Sequence, residues 1–221
     1  MSLHPVFLCL ALAVAPAVFP AGRAERVPLP APRTQGSMSV EAALHQRRSL
    51  RAPVATPLSL EDVGQLCWAA QGITDDKGHR TAPSAMATYP LQVYLLAGSV
   101  ADLLPGLYRY LPAGHALERL TAGDRRADFE RRAVGQSWVA RAPAVFVITG
   151  TLARMGSMGE RGALFMAVEA GLAAQGFFLQ AEALGLGSTY VGGFRPGDAR
   201  RALDLPDGEE ILAVLPVGRR P

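Results

Sequence analysis

The sequence contains few of the side chains that usually bind metals or nucleic acids. Its 221 residues include a single lysine, Lys77, and four histidines, and the net charge is only +3. The positive charge comes from scattered arginines, and no basic run is long enough to indicate a nucleic-acid partner. His4, His45, His79 and His115 are not spaced with one another or with acids as metal ligands are. These features argue against nucleic-acid binding and a metal centre.

Two common catalytic motifs are also missing. No G-x-G-x-x-G run follows a first strand, so a Rossmann-type dinucleotide fold is not supported. No serine has a histidine partner at the spacing of a nucleophile motif. Cysteine is scarce: removal of a leader that contains Cys9 leaves only Cys67, which excludes an intrachain disulfide. Cys67 lies in an apolar helical pattern, which predicts a packed core thiol.

The N-terminal segment has the layout of a signal peptide. Residues Val6–Phe19 form an apolar run that is too short to span a membrane comfortably, and small residues surround Arg23 before Ala24. We expect residues 1–24 to be the signal, which predicts a periplasmic or secreted protein with no stable membrane insertion after cleavage. Because no Lys or Arg precedes Val6, an uncleaved anchor or a wrongly assigned start, with a cytoplasmic protein, stays an alternative. The following residues 25–38 are proline-rich and predict a flexible linker before one domain at 39–221.

The pattern of the remaining chain predicts an α+β fold with an antiparallel or mixed sheet. A helix capped by Ser39 and another capped by Ser59, which ends at Gly72, precede two strands that we expect to pair. The expected later elements are a short helix at Ala116–Thr121, a charged helix from Asp124 to about Gln136, a buried strand at Ala144–Thr149, a helix at Pro196–Ala202 and a final strand at Ile211–Val217. The paired strands are Leu91–Ala97 and Gly106–Leu111.

One long helix, Gly159–Leu184, is expected to organise the fold. Its few polar side chains predict burial on nearly every side, followed by a glycine stop, a short strand and a glycine-rich turn. Its three internal glycines suggest the close approach of another backbone. A plain core helix and a helix shared with a subunit interface are both compatible with this pattern. Glu169 and Gln180 face one way, and we expect them to make polar contacts across a dimer seam.

Two further stretches are candidates for a site. Arg47, Arg48, Ser49 and Arg51 follow the first helix, and their guanidinium groups and hydroxyl suit a phosphate. A solvated basic helix end is the alternative. The long loop Thr74–Met86 is of a length that is often functional.

Several of these segments together resemble the nitroreductase-like FMN-dependent oxidoreductases, and most of all the SagB-type dehydrogenase branch. The resemblance covers about Ser39–Pro221. It rests on Arg47–Arg51, on Thr81–Tyr94, on Gly135-Gln136 before Ala142–Val145, and on Glu169–Gly187 with Gly192–Phe194 and Pro216–Gly218.

The resemblance implies a nitroreductase-like fold, a homodimer with FMN in the dimer interface, and roles for named residues. Arg47, Arg48 and Ser49 would hold the FMN phosphate and the pyrimidine edge of the ring, with Arg51 nearby and Arg219 as a further phosphate candidate. The second subunit would supply Pro83, Ser84, Ala85 and Met86 to line the flavin. Gln136 would bond the cofactor or substrate side, and Val191, Gly192 and Gly193 would pass against the isoalloxazine, where a backbone N–H reaches N5.

The chain departs from its relatives in three ways. Met86 stands where many SagB-type relatives have glycine, and Gly192 stands where other nitroreductases often have an acid. The Lys-Tyr pair of azole-forming oxidases has no counterpart, so peptide azole oxidation is not carried over and no catalytic residue is assigned.

Three functions are compatible with the sequence. The first is an FMN oxidoreductase that transfers a hydride at flavin N5 by a ping-pong mechanism between a small-molecule electron donor and acceptor. The second is a non-catalytic exported dimer that binds a flavin or another small ligand on the same fold. The third is an exported interaction dimer that has lost the cofactor.

Overall fold

The computed structural model describes residues 25–221, so the predicted signal peptide lies outside the described residues. Within that range the chain forms one seven-stranded sheet in the order β1-β4-β3-β2-β5-β7-β6. Every neighbouring pair is antiparallel. The strands are β1 (Arg26–Pro28), β2 (Leu91–Ala97), β3 (Gly106–Leu111), β4 (Ala116–Ala122), β5 (Ala144–Thr151), β6 (Leu186–Ser188) and β7 (Glu209–Arg219). The predicted α+β class and antiparallel sheet are confirmed.

Helices cover both faces of this sheet. They are α1 (Val40–Gln46), α2 (Leu60–Gln71), α3 (Arg126–Phe129), α4 (Trp138–Arg141), α5 (Gly162–Ala183) and α6 (Pro196–Ala202). One core cluster lies between the sheet and helices α2 and α5, and a second lies between the opposite face and helices α3, α4 and α6. The central strand β5 is buried from Ala144 to Gly150, as its apolar run predicts, with Phe146 in the first cluster and Val147 in the second.

Local capping signals in the sequence are confirmed at the first two helices. The Ser39 hydroxyl accepts a hydrogen bond from the backbone N–H of Ala42 at 3.1 Å. Ser59 and Asp62 form a reciprocal capping box at the start of α2, and Gly72 follows its last residue. Both helices therefore begin where the sequence predicts.

One prediction between residues 116 and 136 is wrong. The segment Ala116–Ala122 is strand β4, because β3 pairs with it from end to end with one register shift, and this pairing outweighs the helical preference of the sequence. The charged helix expected from Asp124 to about Gln136 is confirmed in its position: α3 continues directly into a π-helical turn at Glu130–Val134. That turn ends at Gly135, whose φ of 70° stops further helix.

The segment 25–38 is part of the fold, so the prediction of a flexible linker is also wrong. Strand β1 pairs with β4, and Leu29 is buried with its N–H bonded to the His115 carbonyl at 3.0 Å. Further along, the buried Gln65 side chain bonds both the N–H and the carbonyl of Arg33, at 2.8 and 3.0 Å. Proline disfavours a central strand but is tolerated at the sheet edge that β1 forms.

Helix α5 is buried on one side only, which corrects the expectation of burial on nearly every side. Its inner face carries Met166, Ala170 and Phe177 into the first core cluster. Leu164, Val168 and Leu172 lie on the outer face with exposed fractions of 56%, 51% and 45%. By length and hydropathy alone Met158–Ala183 could cross a membrane, but its inner face is part of the protein core. We call the outer surface, defined by these three residues, the apolar stripe.

Gly176 shows why α5 contains glycine at a position that faces α2. A Cβ at Gly176 would lie 2.8 Å from the backbone carbonyl oxygen of Ala69, whereas a Cβ at Gly171 would meet nothing within 4 Å. The expected close backbone approach is therefore confirmed at Gly176, while Gly171 lies on the open side.

Replacement of Gly176 by alanine is expected to lower the free energy of unfolding by up to about 2 kcal/mol. Overpacking against a backbone oxygen costs roughly 1–3 kcal/mol, which exceeds the gain of about 1 kcal/mol in helix propensity. Urea unfolding at one fixed protein concentration measures this change. Gly64→Ala in α2 is the control, since its Cβ would meet its nearest atoms at 3.4 Å, and it is expected to keep or raise the stability. Equal stability of the two variants would contradict the packing argument.

Candidate functional site

The basic segment 47–51 is fixed between the end of α1 and strand β6. Arg47 caps α1 through its N–H, which bonds the Ala43 carbonyl at 2.9 Å, and the Leu50 N–H bonds the Ser188 carbonyl at 3.0 Å. A Cβ at Gly187 would lie 2.8 Å from the Leu50 side chain, so only glycine lets the segment lie this close to β6. The segment is therefore attached to α1 at its first residue and to the sheet near its last.

This segment carries positive charge that the described residues do not neutralise. Arg47 is half-buried, and Arg48, Ser49 and Arg51 are exposed. The Arg48 guanidinium donates to the carbonyls of His45 and Arg47, at 2.9 and 2.7 Å, and so satisfies carbonyl groups at the C-terminal end of α1. None of its three arginines forms an ion pair with a carboxylate in the described part of the chain. A concentration of unpaired guanidinium groups is a ready site for an anion.

Arg219 lies at the same corner of the sheet but is directed elsewhere. Its carbonyl accepts the Val54 N–H at 3.0 Å, whereas its guanidinium lies 3.7 Å from the Asp62 carboxylate at the start of α2. The partly compensated charge makes it a weaker anion ligand than Arg47.

Arg220 is a neighbour that the sequence analysis missed. Its guanidinium pairs with the buried carboxylate of Glu182, and its Cζ lies 3.4 Å from where a Gly187 Cβ would stand, on the side of Leu50. The sequence signal for Arg220 was its position directly after Arg219 at the end of the last strand.

A bare strip of backbone continues from the same edge of the sheet. Three residues beyond Ser188, Val191 exchanges two backbone hydrogen bonds with Val214, at 2.9 and 3.2 Å. Gly192 and Gly193 follow, both exposed. We call Val191–Gly193 the glycine strip. Residues 186–188 and Val191 pair with β7, and Gly192 and Gly193 follow directly, so the glycine strip and the basic segment border one continuous edge of residues 186–193.

The side chain of Gln136 lies next to Gly193 of the glycine strip. Its Nε2 atom lies 4.0 Å from where a Gly193 Cβ would stand, and no other atom of the described chain lies within that distance. Its Oε1 atom accepts a hydrogen bond from the Trp138 indole at 3.2 Å. Gln136 and Gly193, which are 57 positions apart, are thus brought together by the fold, as their assigned roles require.

Tyr190 is a second neighbour that the sequence analysis missed. Its ring carbons lie 3.5 and 3.8 Å from where a Gly192 Cβ would stand, and its hydroxyl donates to the Leu212 carbonyl at 2.5 Å. Partial burial raises the pKa of its phenol, so it stays a neutral donor at ordinary pH. An aromatic residue directly before the glycine strip was the available signal.

The turn at Pro83–Met86 does not contact the other predicted site residues within the chain. The Ala85 N–H bonds the carboxylate of Glu169, in the middle of α5, at 2.7 Å. The basic segment instead contacts β6, beyond the end of α5, and the helix rises about 21 Å between Glu169 and Ala183. The turn therefore lies beside the middle of α5, whereas the basic segment lies beyond its end.

Glu169 makes its polar contact inside the chain, so the expectation that it bridges a dimer seam is wrong. For Gln180, which is partly exposed, that expectation stays a prediction. Glu169 is 4% exposed and binds Ala85, and Gln180 accepts a hydrogen bond from the Gln65 side chain at 3.1 Å. Both side chains face α2 and the turn rather than the apolar stripe.

Two other polar side chains are structural. Cys67 is fully buried and burial raises the pKa of its thiol, which confirms the predicted packed core thiol. The His79 ring lies 2.6 Å from the Asp75 carboxylate, although its spacing in the sequence does not indicate a metal site. This hydrogen bond lowers the pKa of Asp75. Asp75 also accepts from the backbone N–H groups of Lys77 and His79, so the pair closes an exposed turn.

Comparison with known proteins identifies relatives over nearly the whole described chain. The model of the nitroreductase family matches residues 44–219. A nitroreductase-like protein of Methanocaldococcus jannaschii is 35% identical over 184 residues, which cover 83% of this chain and 92% of that protein.

Solved structures agree with the sequence relatives. A nitroreductase-like protein of Ralstonia eutropha has a TM-score of 0.78 and 32% identity over 89% of this chain and 90% of its own. The Escherichia coli microcin synthetase McbBCD contains a chain with the same fold, with a TM-score of 0.67 and 21% identity over 86% of this chain and 75% of its own. The resemblance to the nitroreductase family stated from the sequence is confirmed. The chain belongs to the nitroreductase family of flavin-dependent oxidoreductases.

Proposed function

We propose that the protein is an FMN-dependent oxidoreductase that moves a hydride between two small molecules by a ping-pong mechanism. The observation that carries this proposal is the continuous edge of residues 186–193, which joins an unpaired cationic segment to an open glycine strip. An elongated cofactor with a phosphate at one end and a flat ring at the other requires positive charge at the first end and open backbone at the second. Family membership supports a flavin, and the phosphate-binding character of the basic segment favours FMN.

The basic segment would hold the phosphate. Arg47 and Arg51 have no carboxylate partner among the described residues, so they can bind an anion without first breaking an ion pair. Arg48 keeps further N–H groups free beyond the two carbonyls that Nη1 contacts, and the Ser49 hydroxyl is exposed. Arg219 and Arg220 add positive charge at the margin of this corner.

The glycine strip would lie against the ring. Because a Cβ at Gly193 would enter open space rather than a neighbouring side chain, a planar group can approach the backbone closely there. The N–H groups of Gly192 and Gly193 can donate to the ring, and the Gln136 amide lies beside Gly193. FMN supplies the hydride chemistry when bound, while these residues bind it, orient it and exclude water from one face.

A homodimer is proposed because the described chain leaves an apolar surface uncovered. Helix α1 also carries exposed apolar side chains, since Val40 and Leu44 are 64% and 53% exposed. A patch of this kind on a soluble protein marks an interaction surface. In a two-fold dimer built on α5, the Pro83–Met86 turn of one protomer would reach the glycine strip of its partner.

Export to the periplasm is proposed from the layout of residues 1–24. Nicotinamide donors are scarce outside the cytoplasm, so an exported enzyme would take its electrons from another donor, such as a quinol.

Replacement of Arg47 by alanine is expected to raise the dissociation constant for FMN about 10- to 100-fold. A charge-assisted hydrogen bond contributes about 1.5–3 kcal/mol, and each 1.4 kcal/mol corresponds to a factor of ten. Quenching of flavin fluorescence on titration measures the constant. Arg131→Ala is the matched control, because Arg131 is exposed and pairs with Asp128 outside this corner.

The purified wild-type protein should be yellow, and its bound flavin should be reduced by a nicotinamide or quinol donor and reoxidised by a second small molecule. Absence of FMN binding would refute the proposal. A bound flavin that no such donor reduces would leave a binding protein rather than an enzyme.

Replacement of Leu172 by glutamate is expected to convert the dimer into a monomer and to weaken FMN binding at least tenfold. The charge would be buried in the interface without a partner. Sedimentation analysis gives the mass, and Leu104→Glu, at an exposed leucine 61% accessible before β3, serves as the control. A wild-type protein that sediments as a monomer and still binds FMN would remove the dimer from the proposal.

Fractionation of cells that express the full chain with a C-terminal tag is expected to recover a shortened protein in the periplasmic fraction. Cleavage after Ala24 would leave Glu25 as the first residue, which N-terminal sequencing identifies. Full-length protein confined to the cytoplasm would exclude export and leave nicotinamide donors available.

A further inference from the structure

Residues 25–30, which we call the strap, cover the outer edge of strand β4. Strand β1 within the strap pairs with β4, and the Leu29 N–H bonds the His115 carbonyl at 3.0 Å. Beyond the strap, the Gln65 side chain binds both backbone groups of Arg33, at 2.8 and 3.0 Å. Because Arg33 is held separately, the strap can leave β4 while the chain stays attached to α2.

The His115 ring lies at the point where the strap meets α2. A Cβ at Gly64 of α2 would lie 3.4 Å from the Nε2 atom of His115. The same point lies 3.4 Å from the Leu29 Cβ and 3.6 Å from the Pro30 carbonyl oxygen, both of which belong to the strap. At the other ring nitrogen, Nδ1 lies 2.9 Å from the Tyr110 hydroxyl of β3. One imidazole thus fills the junction of the strap, α2 and β3.

The backbone of His115 adds a second attachment to the strap. His115 has a φ of 45°, in the left-handed region, and its N–H bonds the Pro112 carbonyl at 3.2 Å. In this conformation its carbonyl accepts the Leu29 N–H while its ring lies beside Leu29 and Pro30. A movement of the ring out of the junction therefore also disturbs the hydrogen bond to the strap.

The surroundings suit a neutral imidazole and offer an imidazolium no anionic partner. The Nε2 atom is enclosed without a hydrogen-bond partner in the described part of the chain. Burial and the nearby Cys67 raise the pKa of Tyr110, so its phenol stays uncharged, and Arg80 close to Tyr110 is itself positive. Burial accordingly lowers the pKa of His115, although the Pro30 carbonyl acts in the opposite direction.

The acids of the adjoining elements do not compensate a charge on this ring. Each of three carboxylates on β4, the strap and α2 is paired with an arginine instead: Glu118 with Arg109, Glu25 with Arg119, and Asp62 with Arg219. Glu61 of α2 and Arg26 of the strap are exposed to solvent. His115 itself forms no ion pair among the described residues.

We propose that His115 is an acid-sensitive clasp: protonation of its ring detaches the strap from β4 and opens that edge of the sheet. The neutral ring is stable in the junction, whereas the imidazolium gains hydration only by leaving it. An open edge presents unpaired N–H and C=O groups that can pair with another strand. The clasp needs neither a bound flavin nor a second copy of the chain.

The pH dependence has a definite sign. Since the pKa of His115 in the folded chain lies below its ordinary value of 6.5, the unfolded or detached state binds the proton more tightly. The attachment of the strap is therefore complete above about pH 6.5, weakens as the pH falls below that value, and is weakest below the lowered pKa.

Amide exchange of the purified protein, followed by NMR at pH 7.5 and pH 5.0 and corrected for the intrinsic pH dependence of exchange, tests the clasp. The protection factor of the Leu29 N–H is expected to fall at least tenfold at pH 5.0, because its bond to the His115 carbonyl opens with the strap. The Arg33 N–H, which is bonded to the neutral Gln65 side chain, is the internal reference and is expected to change less than threefold. An unchanged protection factor at Leu29 would overturn the proposal.

Two variants assign the effect to its residue. His115→Asn removes the titrating ring but keeps a polar side chain that tolerates a positive φ, and its Leu29 protection factor is expected to stay within threefold between the two pH values. His79→Asn, at an exposed histidine that bonds Asp75, is the matched control and should keep the wild-type loss. A tenfold loss that persists in His115→Asn would place the response on another group and contradict the clasp.

A titration of the wild-type protein decides the matter if His115→Asn loosens the strap at both pH values. NMR of the His115 ring gives its pKa directly, which is expected below 6.5. The Leu29 protection factor is expected to decline between about pH 6.5 and that pKa and to level off below it. A ring pKa at or above 6.5, or a loss of protection outside this range, would refute the role of His115.

Discussion

Helix α5 is apolar on two sides, and one sheet can cover only one of them. The inner side packs with Met166 and Phe177 on the sheet and approaches α2 so closely that position 176 has no room for a side chain. The outer side leaves leucine and valine in solvent. Glu169, a buried carboxylate near the middle of α5, binds the Ala85 N–H and so fixes the Pro83–Met86 turn. The core, the exposed apolar stripe and the turn all depend on the same helix, and a change in its rotation would disturb each of them.

The second organising feature is the edge formed by residues 186–193. Its backbone is paired to β7 at Ser188 and again at Val191, so its course is fixed by sheet hydrogen bonds rather than by loop packing. Glycine at 187 admits Leu50 from one side, and glycine at 193 leaves the surface open on the other. The absence of side chains thus serves two different purposes on one short run: internal packing in one place and access in the other.

The sequence was a good guide where structure depends on neighbours along the chain. The capped starts of α1 and α2 and the strands β2, β3 and β5 follow from capping residues and from alternating or continuous apolar runs. It was a poor guide where a distant partner decides. Residues 116–122 are compatible with a helix when considered alone, but they form a strand because they pair with β3. Residues 26–28 are compatible with a linker, but they form a strand because they pair with β4. The same holds for the site. The suitability of Arg47 for a phosphate and of Gly193 for a close backbone contact could be predicted from the residue types. The contacts of Glu182 with Arg220 and of Gln136 with Gly193 could not, because they depend on how distant segments fold together.

The position of β7 has a consequence for how the molecule is made. This strand lies between β5 and β6, next to the edge of the sheet, and it is formed by residues 209–219. The sheet cannot be completed, and neither the basic corner nor the glycine strip can take shape, until residue 219 has been synthesised. One face of β5 and the edge it offers to β7 therefore stay unpaired during translation. Long-range pairing of this kind also makes folding comparatively slow.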